Sequence, residues 1–91
     1  MQSKLFYIYG LVQGVGFRFF TWQTANKIGV AGSVRNCSDG SVEVIAQGTE
    51  EQIAKLREWL QHGPHSARVE RVIEVDYKGD KVFEDFDVYH Y

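Results

Sequence analysis

The sequence predicts an α+β sandwich. It has an antiparallel sheet with two helices on one face, in the order βαββαβ, and a short further strand near the C-terminus. Three observations carry this. Short runs of alternating β-branched and aromatic residues are interleaved with two stretches of helical periodicity. Gly, Pro and Asp-Gly signals punctuate the junctions. The composition, 44% apolar, 14% aromatic and 24% charged over 91 residues, is that of one compact domain, not of a disordered or fibrous chain.

Lys4 to Leu11 is rich in β-branched and aromatic residues and reads as the first strand. Val12 to Gly16 is a Gly-punctuated loop. Phe17, Thr21, Ala25 and Ile28 then recur at spacings of four, four and three, with Phe20 on the flank, which is one face of an amphipathic helix. Gly29 is placed to stop it. The aromatics Phe17, Phe19, Phe20 and Trp22 are expected mostly in the core, with Phe19 and Trp22 available to edge a pocket.

Gly32 to Cys37 is the second strand, with Val34 and Asn36 on one face and Ser33, Arg35 and Cys37 on the other. Ser38-Asp39-Gly40 signals a tight hairpin into the third strand, where Val42, Val44 and Ala46 alternate. Thr49 followed by Gln52 is a capping box. Ile53, Leu56 and Leu60 form the buried stripe of the second helix, Glu51 and Lys55 pair on its outside, and Gly63-Pro64 ends it. Val69, Ile73, Val75 and Tyr77 mark the fourth strand, whose phase stays open near Arg71 and Val72, and Phe86 with Val88 marks a last short one. Two β-α-β units joined by a hairpin make a split βαβ, ferredoxin-like sandwich. Right-handed crossovers put both helices on the same face.

Charge and cysteine usage exclude several classes. Lys plus Arg is 10 and Asp plus Glu 12, a net charge of −2, so no nucleic-acid partner is expected. The three His stand at 62, 65 and 90 and the one Cys is Cys37, which argues against a disulfide framework and a zinc site. No cofactor and no metal are expected. The apolar run Leu5 to Val12 is too short to span a membrane. The chain 1–91 is therefore expected to be a single cytoplasmic domain, monomeric because both helix stripes are used in the core. His62 and His65 read as cations near a helix C-terminus, Cys37 as incidental, and Glu84, Asp85 and Asp87 as solvated edge charges.

The chemistry concentrates in Val12-Gln13-Gly14-Val15-Gly16-Phe17-Arg18. Two glycines at spacing two let the backbone turn sharply and bring N–H groups together. A helix begins directly afterwards, with its positive dipole end at the same point. Arg18 in its first turn adds a planar fork of donors. Together these describe a cradle for a phosphate or carboxylate. A tight βα turn whose glycines serve packing alone gives the same short pattern. In a right-handed βαβ unit the first two strands are parallel, so the loop and Asn36 lie at one edge of the sheet. Asn36 shares the helix-covered face with Val34 and can hold a water in a fixed orientation; the alternative is an Asn that caps the hairpin.

The segment Gly10-Leu11-Val12-Gln13-Gly14-Val15-Gly16-Phe17-Arg18 resembles the signature of the acylphosphatases. So do Gly32-Ser33-Val34-Arg35-Asn36 and Asp39-Gly40-Ser41-Val42-Glu43. Gln47-Gly48, Trp59-Leu60, Gly63-Pro64 and Ala67-Arg68-Val69 follow in the right order, so the likeness runs from about residue 5 to residue 90. The resemblance implies metal-independent hydrolysis of acyl phosphates, small molecules that would be the only partner. It implies that Arg18 binds the phosphate and Asn36 orients the attacking water. The N–H groups of Gln13, Gly14, Val15, Gly16 and Phe17 would hold the phosphate oxygens. Leu11 and Ser33 depart from the usual basic and aromatic residues of the family, at positions that carry none of the chemistry. The same fold hosts RNA-recognition domains, but the third strand, Ser-Val-Glu-Val-Ile-Ala-Gln-Gly, lacks their aromatic pattern. A non-catalytic anion sensor built on the same cradle is the other alternative.

Overall fold

The computed structural model describes residues 1–90. Its elements are β1 (Gln2–Leu11), α1 (Phe17–Ile28), β2 (Ala31–Asn36), β3 (Val42–Gly48), α2 (Glu50–Leu60), β4 (Arg68–Asp76) and β5 (Phe86–Val88). The sheet order is β4-β1-β3-β2-β5. β1 lies between β3 and β4 and is antiparallel to both, and β2 is antiparallel to β3. β1 and β2 thus run parallel with β3 between them, and their C-terminal ends share one edge. β5 pairs with β2 in parallel, so the sheet is mixed and not the purely antiparallel one expected.

The alternation in the strands decides what is buried. Phe6 and Ile8 of β1, Val34 of β2 and Val42, Val44 and Ala46 of β3 are fully buried. They meet Phe17, Thr21 and Ala25 of α1 and Ile53, Leu56 and Leu60 of α2 in one core. Each large apolar side chain taken fully out of water there contributes roughly 1.5–3 kcal/mol. α1 ends at Gly29, whose N–H donates to the Ala25 carbonyl at 2.8 Å. α2 starts on the expected capping box: Gln52 N–H donates to Thr49 Oγ1 at 3.1 Å, and Thr49 N–H to Gln52 Oε1 at 2.9 Å. Lys55 reaches Glu51 at 3.6 Å.

In β4, Val69 and Val72 pack against the core, whereas Ile73 and Val75 lie exposed on the open face of the sheet. The cause is a register shift: Tyr9 pairs with Arg71 but Gly10 with Val69, leaving Glu70 as an extra residue. Beyond it the helix-side position opposite Phe6 is taken by Glu74. That carboxylate is held by the Arg57 fork from α2, at 2.6 and 2.8 Å. In the hairpin, Cys37 N–H donates to Ser41 O and Gly40 N–H to Cys37 O, which encloses the three-residue turn Ser38-Asp39-Gly40 that the sequence signals. Asp39 Oδ1 accepts from the Ser41 hydroxyl and N–H, which lowers its pKa.

Two predictions arise here. The hydrogen bonds from Arg57 hold the Glu74 carboxyl below the usual carboxylate range. A depressed carboxylate stabilises the fold above its unfolded pKa, about 4.3, and that contribution is lost as the pH falls through the folded value. Glu74→Gln should therefore remove part of the wild type's acid-side loss, seen as a shallower fall of the urea midpoint below about pH 4. An unchanged acid limb in the variant would contradict this. At Gly32, φ is +150° and an added Cβ would stand 1.8 Å from the Ile45 carbonyl oxygen on the neighbouring strand. Gly32→Ala is expected to cost more than about 3 kcal/mol in urea unfolding, because backbone strain and a backbone clash coincide.

Candidate active site

The loop between β1 and α1 is held from beneath by its apolar residues. Val12 is fully buried and Val15 packs against the core. Between and after them, Gly14 and Gly16 both have left-handed backbone, at φ +76° and +79°. Side chains rarely tolerate that conformation, and it turns successive N–H groups toward one concavity. Ser66, in the α2–β4 connection, donates its hydroxyl to the Val15 carbonyl at 2.6 Å and fixes the outer side of the loop.

Gly16 is also the N-cap of α1. No side chain caps this helix and its first turn holds no acidic residue. The N–H groups of the first turn have no partner within the helix, so the helix end is open to an anion from solvent. Arg18, half-buried, stands in that turn. Its Nη1 donates to the Tyr89 carbonyl at 2.7 Å. Tyr89 is brought there by the sheet: its N–H continues the β5–β2 pairing by donating to Val34 O at 3.0 Å. The guanidinium is thereby oriented from the far side while other donors stay available.

Asn36 is the last residue of β2 and follows the helix-side position of Val34. It lines the same cleft as Gly14, Gly16, Phe17 and Arg18, a cavity of about 310 Å³ at the C-terminal edge of β1 and β2. Its neighbour Arg35 faces the other way and grips Glu43 at 2.8 and 3.0 Å. On that same open face, burial and then the Glu43 carboxylate raise the Tyr7 pKa. The side chains of Gln13 and Val15 do not line the cleft; Gln13 Nε2 donates instead to Cys37 O and Ser41 O, each at 2.8 Å.

The rest of the cleft wall is apolar. Phe19 and Trp22 line it and are 53% and 39% exposed, with Val12 and Val88 alongside and His90 at the margin. Of the four aromatics expected mostly in the core, only Phe17 is buried. Val88, Tyr89 and His90 were not legible as site residues, because nothing local in the sequence says which strand β5 joins. Ser66 carried no signal at all. A wider groove of about 920 Å³ on the other flank of α1 takes in Trp59, His62 and His65 but no cradle residue. Among the described residues no group of three or more His, Cys, Asp or Glu side chains could hold a metal ion. Among them, too, no helix is long and apolar enough to cross a membrane.

An uncapped helix start and a guanidinium at one cleft, in a split βαβ sandwich, make a small α+β domain whose cleft can accept an anion. The comparison with known proteins narrows the class. The acylphosphatase family model matches residues 4–88. A curated acylphosphatase of Pasteurella multocida is 58% identical over 88 residues, covering 97% of this chain and 98% of the relative. One of Mannheimia succiniciproducens is 54% identical over 90 residues, covering 99% and 100%. The crystal structure of acylphosphatase from Bacillus subtilis superposes with a TM-score of 0.92 at 30% identity, covering 99% of this chain and 100% of that one. The chain belongs to the acylphosphatase family.

Proposed function

We propose that this enzyme hydrolyses the carboxyl–phosphate bond of acyl phosphates to a carboxylate and inorganic phosphate, at the cleft where Arg18 and Asn36 meet. One observation carries the assignment of residues: Gly14, Gly16, Arg18 and Asn36, from separate segments, line a single recess. The phosphoryl oxygens lie against the N–H groups of Gln13, Gly14, Val15, Gly16 and Phe17, and the Arg18 fork takes the remaining charge. The Asn36 carbonyl accepts from a water and holds its oxygen in line with phosphorus. As the water oxygen bonds to phosphorus, the bond from phosphorus to the acyl oxygen breaks and its electron pair leaves on the carboxylate. The water's proton passes to a phosphoryl oxygen of the substrate, since neither motif holds a general base.

The reaction suits this set of groups. A carboxylate is a stable leaving group at neutral pH and needs no strong acid. Phosphoryl transfer is catalysed mainly by positioning and by charge stabilisation, which a donor ring and a guanidinium provide. The acyl group extends over Phe19, Trp22 and Val88. We take the enzyme to act as a cytoplasmic monomer, which its unpaired thiol, Cys37, and the commitment of both helix stripes to the core support.

The test is hydrolysis of benzoyl phosphate with a metal chelator present. Turnover that persists with chelator supports the assignment. Activity that vanishes with chelator would overturn the proposed chemistry, and phosphate binding without turnover would identify an anion sensor. The pH–rate profile should follow the ionisation of the substrate; a profile set by an enzyme group would refute the proton route.

A further inference from the structure

We propose that the Gln13 side chain is a positioning residue for this reaction, fixing the separation between the phosphate cradle and the water-holding Asn36. The inference rests on the proposed roles of those two parts and adds what couples them. Gln13 contributes its backbone to the cradle loop, yet its side chain turns out of the cleft toward β2 and β3. Nε2 has two hydrogens, and both are used: one toward Cys37 O and one toward Ser41 O, each at 2.8 Å. Cys37 directly follows Asn36, and Ser41 directly precedes Val42, the cross-strand partner of Asn36. One amide therefore clamps the backbone on both sides of the Asn36–Val42 pair to the loop that holds phosphate.

The hairpin itself does not depend on this clamp. The same two carbonyls already accept backbone bonds, Ser41 O from Cys37 N–H at 2.8 Å and Cys37 O from Gly40 N–H at 3.2 Å. The β2–β3 ladder continues through Asn36 independently. What the clamp alone supplies is the spacing between two separately built halves of the site. The geometry demands two donors at one atom. A glutamate carboxylate has the same reach but offers only acceptors to two acceptors. Asparagine keeps the donors but is one methylene too short.

The experiment measures steady-state hydrolysis of benzoyl phosphate and inhibition by inorganic phosphate for the wild type, Gln13→Ala, Gln13→Glu, Asn36→Ala and Gln13→Ala/Asn36→Ala. Gln13→Ala should lower kcat by about 10- to 100-fold, the scale of a small misplacement of reacting groups. Phosphate affinity should change much less than kcat. In the Asn36→Ala background the same substitution should cost little more, since it acts through Asn36. Gln13→Glu, close in shape to the wild type, should show a kcat deficit relative to wild type that shrinks as the pH falls from about 8 to about 5, because a protonated carboxyl regains one donor. Additive losses in the double variant, a pH-independent Glu deficit, or phosphate binding that falls in step with kcat would each overturn the proposal. Turnover by the wild type tests the activity itself, so a working enzyme with wild-type-like Gln13 variants refutes only the clamp.

Discussion

Arg18→Ala is expected to lose both substrate capture and turnover, lowering kcat/KM by roughly 10³–10⁵, the range an arginine contributes when it stabilises a transferring phosphoryl group. Among the described residues that line the cleft, Arg18 supplies the only guanidinium or ammonium group. Its position depends on two supports, the first turn of α1 and the Tyr89 carbonyl at 2.7 Å. Removing the side chain leaves the core intact, because Arg18 is not among the residues that pack it. The urea midpoint should therefore move little while phosphate binding, followed by titration calorimetry, falls away. Arg18→Lys should recover only part of the loss: a lysine keeps the charge but not the planar fork, nor the pre-set donor toward Tyr89. A variant lacking Arg18 that still binds phosphate as the wild type does would remove this residue from the site.

Asn36→Ala should behave differently. Phosphate binding should survive, because the donors of the cradle and Arg18 remain, while kcat falls by about 10²–10³, as when one well-placed hydrogen-bonding group is deleted. The separation of the two effects is the informative part. In the proposed mechanism Arg18 acts on the bound anion throughout the reaction, and Asn36 acts on a water that matters only when it attacks. Equal losses of affinity and rate in both variants would contradict that division of labour.

Much of this was readable in advance because the relevant signals are local. Phe17, Thr21 and Ala25 declare the buried side of α1, and Thr49 with Gln52 declares where α2 begins. The Gly14–Gly16 spacing before Arg18 announces the left-handed turn found there, and the parity of Val34 and Asn36 puts Asn36 at the cleft it lines. What the sequence leaves open has a common physical origin in contacts between distant segments. The sequence leaves the phase of β4 open near Arg71 and Val72; the irregularity opposite Tyr9 and Gly10 turns Ile73 and Val75 outward, and Glu74 is held on the inside by Arg57 from α2. The parallel seat of β5 on β2, and hence the Tyr89 carbonyl under Arg18, follows from sheet pairing and not from any pattern in the last strand. Phe19 and Trp22 edge the cleft as their place off the buried stripe allows, whereas Phe20, on the flank of that stripe, stays exposed.

The left-handed glycine loop has a consequence for how the protein tolerates genetic drift. The groups proposed to grip the anion belong to the main chain, and every residue except proline supplies an N–H at those positions. A substitution at Val15 by any residue but proline changes packing but leaves its N–H in place. Loss of grip by point mutation therefore has few routes: a residue forced into the wrong conformation at Gly14 or Gly16, or the loss of a side chain that aims the loop. The expected mutational map of the loop is sharply uneven, intolerant at two residues without side chains and permissive between them.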